Sequence, residues 1–302
     1  MFTVLLLYKL VDSIYMIISI NDDFDLNKIM NSGQCFRVTC DDNGTYRFIT
    51  GHEVLFMCKK DKTRYEVSCE KDEWNKVWRP YFDLDTDYSS IRRGVPENDR
   101  FLNTCADEGA GIRILNQDKW EMLISFIISQ RKSIPAIRSC VEKICEAFGA
   151  PIKADANTSG KGSTSSQGLS SPIYTFPKPE ALANASEKDL QVCGTGYRTS
   201  YILDAAQKVA SGELDLEIIA ELPDEDLFEA LTSVRGVGTK VANCVMLFGY
   251  HRIGRAPVDT WILKVIDQKY GGINPFDRYG DVAGIMQQYM FYGANKLQLL
   301  KE

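Results

Sequence analysis

Residues 231–262 read LTSVRGVGTKVANCVMLFGYHRIGRAPVDTWI, and this stretch decides the fold. Apolar residues at helical spacing precede Arg235 and resume from Val241 to Tyr250. Gly236 and Gly238 lie between them, so the segment reads as helix, glycine hairpin, helix. Glycine at both positions permits positive φ and a close backbone approach, which leaves the amide N–H groups at the start of the second helix facing an anion. Arg235, Lys240, Arg252 and Arg255 supply local positive charge for such a phosphate seat. The same spacing also suits a plain helix–helix connection with a glycine C-cap. Lys240 and Asp259 are expected at the starts of two consecutive helices, where both face one cleft. At a helix N-terminus the lysine charge opposes the helix dipole, and partial burial disfavours the ammonium, so the residue type in that place points to an amine nucleophile. Asp259, after Ala256, Pro257 and Val258, is expected as an N-cap, and its carboxylate can also steady a developing cation or shuttle a proton.

Outward from this stretch the chain divides by periodicity. YMIISI, CFRVTC, TYRFIT, EVLFMC and RYEVSC, between Tyr15 and Cys69, are short, rich in β-branched and aromatic residues, and separated by turn residues, which predicts an antiparallel sheet. Beyond Arg100 the pattern is helical at 118–130, 134–148, 197–210, 225–234, 239–250 and about 284–292. The fold class is therefore α+β: an antiparallel β-rich N-terminal domain at 16–100, then a mostly α-helical domain at 101–302. Residues 1–15 read as an N-terminal extension. The Ser-, Gly- and Thr-rich run at 153–171 is expected to form a flexible surface loop inside the helical domain.

Composition narrows the function classes. With 44% hydrophobic residues in 302, the chain is no disordered segment. Its 35 Lys and Arg against 41 Asp and Glu leave a net charge of -6, so a polyanion must be held by a local patch. Nine cysteines without a CxxC pair, and only two histidines, read as reduced thiols with no metal site and no cofactor. The apolar run Phe2–Tyr8 lacks a basic leader and a small-residue cleavage site, is interrupted at Lys9 and Asp12, and falls short of a bilayer span. An intracellular, unsecreted protein without membrane contact is expected, with Met16 as an alternative start.

The 231–262 segment resembles the helix-hairpin-helix, Gly/Pro-Asp superfamily of base-excision DNA glycosylases. By that resemblance Lys240 attacks the deoxyribose C1′ and Asp259 assists. NSGQCFRV at 31–38, SFIISQRKSI at 125–134 and GTGYRTSY at 194–201 further resemble the 8-oxoguanine DNA glycosylase branch, and the likeness extends from about Phe24 onward. The resemblance implies that the Gly33 carbonyl accepts the N7–H of the oxidised base, that Cys244 and Phe291 sandwich the extruded base, and that Gln287 reads its Watson–Crick edge. It makes Tyr197 a wedge beside the lesion and Arg198 a donor to the estranged cytosine, with Gly236 and Gly238 at the DNA backbone. Two departures stand out. Arg131 and Lys132 occupy positions where the branch in higher organisms has consecutive Asn, and Trp261 stands where many members carry a His near the DNA backbone.

The implied activity is that of a bifunctional glycosylase and lyase acting as a monomer on double-stranded DNA containing 8-oxoguanine. The endonuclease III branch, which acts on oxidised pyrimidines, shares the central segment but usually carries a four-Cys cluster near its C-terminus, and this chain has no Cys after Cys244. A non-catalytic helix-hairpin-helix binding module is the third reading, with Lys240 as a phosphate contact.

Overall fold

The turn signals after Tyr15 are obeyed. The computed structural model describes residues 15–152 and 172–299, so the extension up to residue 14 and the low-complexity run at 153–171 lie outside the described residues. Strands β1 (Met16–Ser19), β2 (Thr39–Cys40), β3 (Thr45–Thr50), β4 (Glu53–Lys59) and β5 (Arg64–Val67) form one antiparallel sheet in the order β1-β5-β4-β3-β2. Its register sets Phe48 opposite Leu55 and Ile18 opposite Tyr65. Helix α1 (Leu26–Asn31) lies between β1 and β2.

One expectation for this half is corrected. Of the strand read over Cys35–Cys40, only Thr39–Cys40 joins the sheet; Cys35 to Val38 run as buried irregular backbone, because side chains on either side tie the segment to other parts of the fold. Within the β-rich domain, residues 71–93 carry short helices: α2 (Lys71–Glu73), a π-helical turn at Trp74–Trp78, α3 (Arg79–Tyr81) and α4 (Tyr88–Arg93). Trp74, Trp78 and Phe82 are spaced four apart, so they share one helix face. That face meets the sheet at Phe48, whose ring lies 5.0 Å from Phe82. Arg113, fully buried, holds the connecting loops by donating to Asp22 Oδ2 (2.9 Å) and to the carbonyls of Asp23, Phe82 and Thr86.

The helical half follows with α5 (Arg100–Glu108), α6 (Lys119–Ser129), α7 (Ile134–Phe148), a small hairpin of β6 (Pro151–Ile152) and β7 (Ile173–Tyr174), α8 (Pro179–Ala183), α9 (Glu187–Val192), a 3-10 turn at Gly196–Arg198 and α10 (Thr199–Ala210). The last group is α11 (Asp224–Thr232), α12 (Thr239–Phe248), α13 (Thr260–Tyr270) and α14 (Ala283–Lys296). Helix α6 is apolar on nearly every side, as a helix at the centre of a core must be, with buried residues running from Trp120 to Ile128. Helix α12 packs against it, and α14 packs along α5. All nine cysteines are free. Among the described residues no helix is long and apolar enough to cross a membrane.

Candidate active site

The two glycines of the hairpin turn out to serve different needs. Gly236 has φ +81, and a Cβ there would lie 2.3 Å from the Tyr201 ring, so both its conformation and its contact demand glycine. Gly238 has ordinary extended backbone (φ -97, ψ -178) and is the N-cap of α12, with open space where a Cβ would be. Of the two, only Gly236 uses the positive φ that glycine permits. At 238 the absence of a side chain leaves the first N–H groups of α12 uncovered.

Lys240 is the second residue of α12, half-buried, with Cys244 one turn further on. Its Nζ lies 5.3 Å from the centre of the Phe126 ring on α6. Burial pushes the Cys244 thiol up; the Lys240 charge acts against that shift and the Asp259 carboxylate adds to it. Asp259 is the N-cap of α13, accepting from Ile262 N at 2.8 Å, so the short Pro257-Val258 approach ends in a carboxylate of fixed direction. Two residues on, the Trp261 Nε1–H is buried without a partner.

Gly33 faces Phe291 of α14. Its φ is +78, and a Cβ there would sit 3.3 Å from Phe291 Cε1 and 3.5 Å from Ile134 Cδ1. Gln34, fully buried, sets this turn: its Nε2 donates to Ser32 Oγ and to the Arg113 carbonyl, both at 2.8 Å, and its Oε1 accepts from Leu115 N at 2.8 Å. Gln287, one turn before Phe291, is buried rather than on the surface where its polarity alone would place it, and its Oε1 accepts from Gln288 Nε2 at 2.9 Å. Phe36, three residues after Gly33, lies edge-on to Phe126 at 5.7 Å. That contact joins the Gly33–Phe291 wall to the Lys240 cluster.

Around the rim, Gln130 gathers three segments. Its carbonyl accepts from Arg198, and its Nε2 donates to the Gly236 carbonyl at 3.1 Å. Arg198 is buried, also donating to the Thr195 carbonyl at 3.2 Å, and its guanidinium stacks 4.4 Å from the Tyr197 ring centre. Tyr197 itself is 55% exposed, an unusual state for an aromatic side chain without a protein partner to cover it. Arg131 is exposed at φ +52, in the left-handed region where Asn is favoured among residues other than glycine, and Lys132 anchors the turn by donating to the Gly194 carbonyl at 2.8 Å. Of the four expected phosphate supports, two are spoken for. Arg252 and Arg255 pair with Asp224 at the start of α11, and Arg255 also with Glu225. Arg235 stays exposed, 5.8 Å from the Tyr201 ring centre.

Sequence reasoning missed Phe126, Gln34 and Gln130. The first is one of many apolar residues on a core helix; the other two are polar residues set inside or directly after apolar runs, which is a readable signal. A cavity of about 310 Å³, lined by Lys119, Glu217 and Tyr250 among others, shares only Arg252 with the residues expected at the site. Among the described residues no group of three or more His, Cys, Asp or Glu side chains is placed to hold a metal ion.

Residues 16–123 match the family described as the N-terminal domain of 8-oxoguanine DNA glycosylase, and residues 124–288 match the HhH-GPD superfamily of base excision DNA repair proteins. The chain belongs to the HhH-GPD superfamily. It is similar to a probable N-glycosylase/DNA lyase of Methanothermobacter thermautotrophicus, 29% identical over 248 residues that cover 72% of this chain and 73% of the relative. The N-glycosylase/DNA lyase of Saccharomyces cerevisiae is 32% identical over 63% of this chain, which spans half of that relative. The crystal structure of Clostridium acetobutylicum 8-oxoguanine glycosylase/lyase, in complex with double-stranded DNA containing cytosine opposite 8-oxoguanine, superposes with a TM-score of 0.81 at 33% identity, covering 94% of this chain and 98% of that one.

Proposed function

We propose that this HhH-GPD protein is a bifunctional DNA glycosylase and lyase that excises 8-oxoguanine from duplex DNA. What supports the reading is an amine on α12 set against the Phe126 ring, a carboxylate capping α13, and a glycine turn that faces an aromatic ring on α14 and is tied to Phe126 through Phe36. The names of its relatives point the same way.

In this mechanism the neutral Lys240 amine forms the Nζ–C1′ bond while the electron pair of the C1′–N9 bond leaves with the base, which takes the proton that the nitrogen releases. Opening of the sugar ring, with a solvent proton added at O4′, leaves a protonated imine between Nζ and C1′. Removal of a C2′ proton then expels the 3′ phosphate by β-elimination and nicks the strand. The Asp259 carboxylate steadies the positive charge that develops at the sugar. The Gly33 carbonyl distinguishes the lesion, because 8-oxoguanine offers an N7–H donor where guanine offers an acceptor. Cys244 and Phe291 bracket the base, Gln287 reads its edge, Tyr197 plugs the vacated step, and Arg198 holds the rim beside Arg131, Gly236, Gly238 and Trp261 against the strand. No cofactor takes part; the protein acts as a monomer inside the cell, where its DNA substrate lies.

Borohydride trapping on duplexes with one 8-oxoguanine opposite each of the four bases tests the reading. A covalent adduct is expected with wild type and none with Lys240→Gln, which should still bind the lesion. Trapping only on an oxidised pyrimidine moves the chain to the endonuclease III reading, and an adduct that survives Lys240→Gln removes the proposed nucleophile.

A further inference from the structure

The nucleophile's surroundings hold an element that no reading of the sequence supplied. The Lys240 Nζ lies 5.3 Å from the Phe126 ring centre, and among the described residues no carboxylate forms an ion pair with it. The ring is not free to turn. Phe126 is 3% exposed; Phe248 lies nearly parallel to it, 15° between planes at 5.4 Å, and Phe36 meets it edge-on, 73° at 5.7 Å. Three elements thus fix one aromatic face: α6 carries it, the end of α12 stacks on it, and the segment after Gly33 abuts it.

We propose that Phe126 is a positioning residue for the amine, its ring face confining the Lys240 nitrogen before attack and holding the positive charge that the same nitrogen carries as the protonated imine. The inference rests on Lys240 being the nucleophile. An aromatic face attracts a cation through its quadrupole without offering a proton acceptor. A carboxylate in the same place would bind the ammonium in a tight ion pair and hold the lone pair out of reaction. The ring confines Nζ without taking up its lone pair, and after attack the positive charge resides on the same nitrogen. Confinement matters because the lysine stem is long, and every wrong rotamer takes the amine away from C1′. Phe36 gives the N-terminal sheet domain a share in this placement: one segment, Gly33 to Phe36, both faces the base pocket wall and steadies the ring under the nucleophile.

Graded fluorination of Phe126, by site-specific incorporation of mono-, di- and trifluorophenylalanine, tests the proposal, since fluorine drains the ring face while nearly preserving its shape. Single-turnover imine trapping on the 8-oxoguanine duplex should slow with each fluorine, by about fivefold or more at the trifluoro ring, with lesion affinity and unfolding midpoint unchanged. The coded variants give the same ordering: Phe126→Tyr keeps the rate and Phe126→Leu loses it, again at unchanged affinity. A flat or rising series across the fluorinated rings, or full rate in Phe126→Leu, overturns the role of the ring. Lys240→Gln is run alongside. If that variant still traps, the nucleophile assignment itself has failed, a result distinct from a flat fluorine series in a protein whose trapping depends on Lys240.

Discussion

Gly236 and Gly238 are indistinguishable as letters two apart, and their environments separate them. At 236 an alanine meets both a left-handed backbone and the face of Tyr201, and neither α10 nor the hairpin can retreat without opening the core. Gly236→Ala is expected to cost at least about 2 kcal/mol, whereas Gly238→Ala, extended and facing open space, should cost no more than about 1 kcal/mol. Urea unfolding of the two variants checks the contrast; equal losses would mean that the Tyr201 contact does not constrain the hairpin. The same backbone logic illuminates Arg131. The left-handed conformation there belongs to the turn, pinned by Arg198 to Gln130 and by Lys132 to Gly194, so the local geometry persists although an arginine occupies it.

At the scale of elements, α12 and α13 begin differently, and this sets their chemistry. α12 starts at a bare glycine and exposes its N–H groups, whereas α13 starts at a carboxylate that satisfies one of its own. In the proposed mechanism Asp259 therefore has two separable duties. Asparagine caps a helix as well as aspartate, so Asp259→Asn should leave stability within about 0.5 kcal/mol of wild type, and Asp259→Ala should lose about 1 kcal/mol. Both remove the carboxylate, and single-turnover excision should fall about 100-fold in each. Thermal unfolding and excision rates measured on the pair separate cap from chemistry: a fully active Asp259→Asn would reduce Asp259 to a cap.

The whole molecule is joined by buried polar groups as well as by its apolar cores. Arg37, 2% exposed at the sheet side, donates to the Tyr174 carbonyl and stands 3.7 Å from Glu121 on α6 and 3.6 Å from Glu142 on α7. The Arg37 Nε and Nη1 make no hydrogen bond, so the pairing is only coulombic, and burial pushes the Glu121 carboxyl up to about 7 despite the nearby guanidinium. A carboxyl raised by folding binds more protons in the native than in the unfolded state between its ordinary value and 7. Its contribution to stability is thus present at low pH and lost as pH rises through that window. Glu121→Gln should flatten the fall in unfolding free energy between pH 5 and 8, by roughly 2–4 kcal/mol. Denaturation across that range in both proteins is the check, and parallel curves would show that Glu121 does not titrate there.

By itself the sequence determined what depends on near neighbours in the chain. Helix periodicity set α7 at Ile134–Phe148 to the residue, hairpin glycines marked the entry to α12, and the Asp259 cap followed from its place after Pro257. The motifs around Gly33, Lys240 and Tyr197 were legible for the same reason, as short runs of fixed spacing. Only the tertiary structure decided the contacts between distant segments. It drew Cys35–Val38 out of the sheet through Gln34 and Arg37, buried Gln287 and Arg198, committed Arg252 and Arg255 to Asp224, and set Phe126 beneath Lys240. Hydrophobic burial is proportional to area and blind to partner, so an apolar letter announces that it will be covered. Which ring will lie under which amine depends on how whole helices and a sheet segment meet, and no local spacing encodes that.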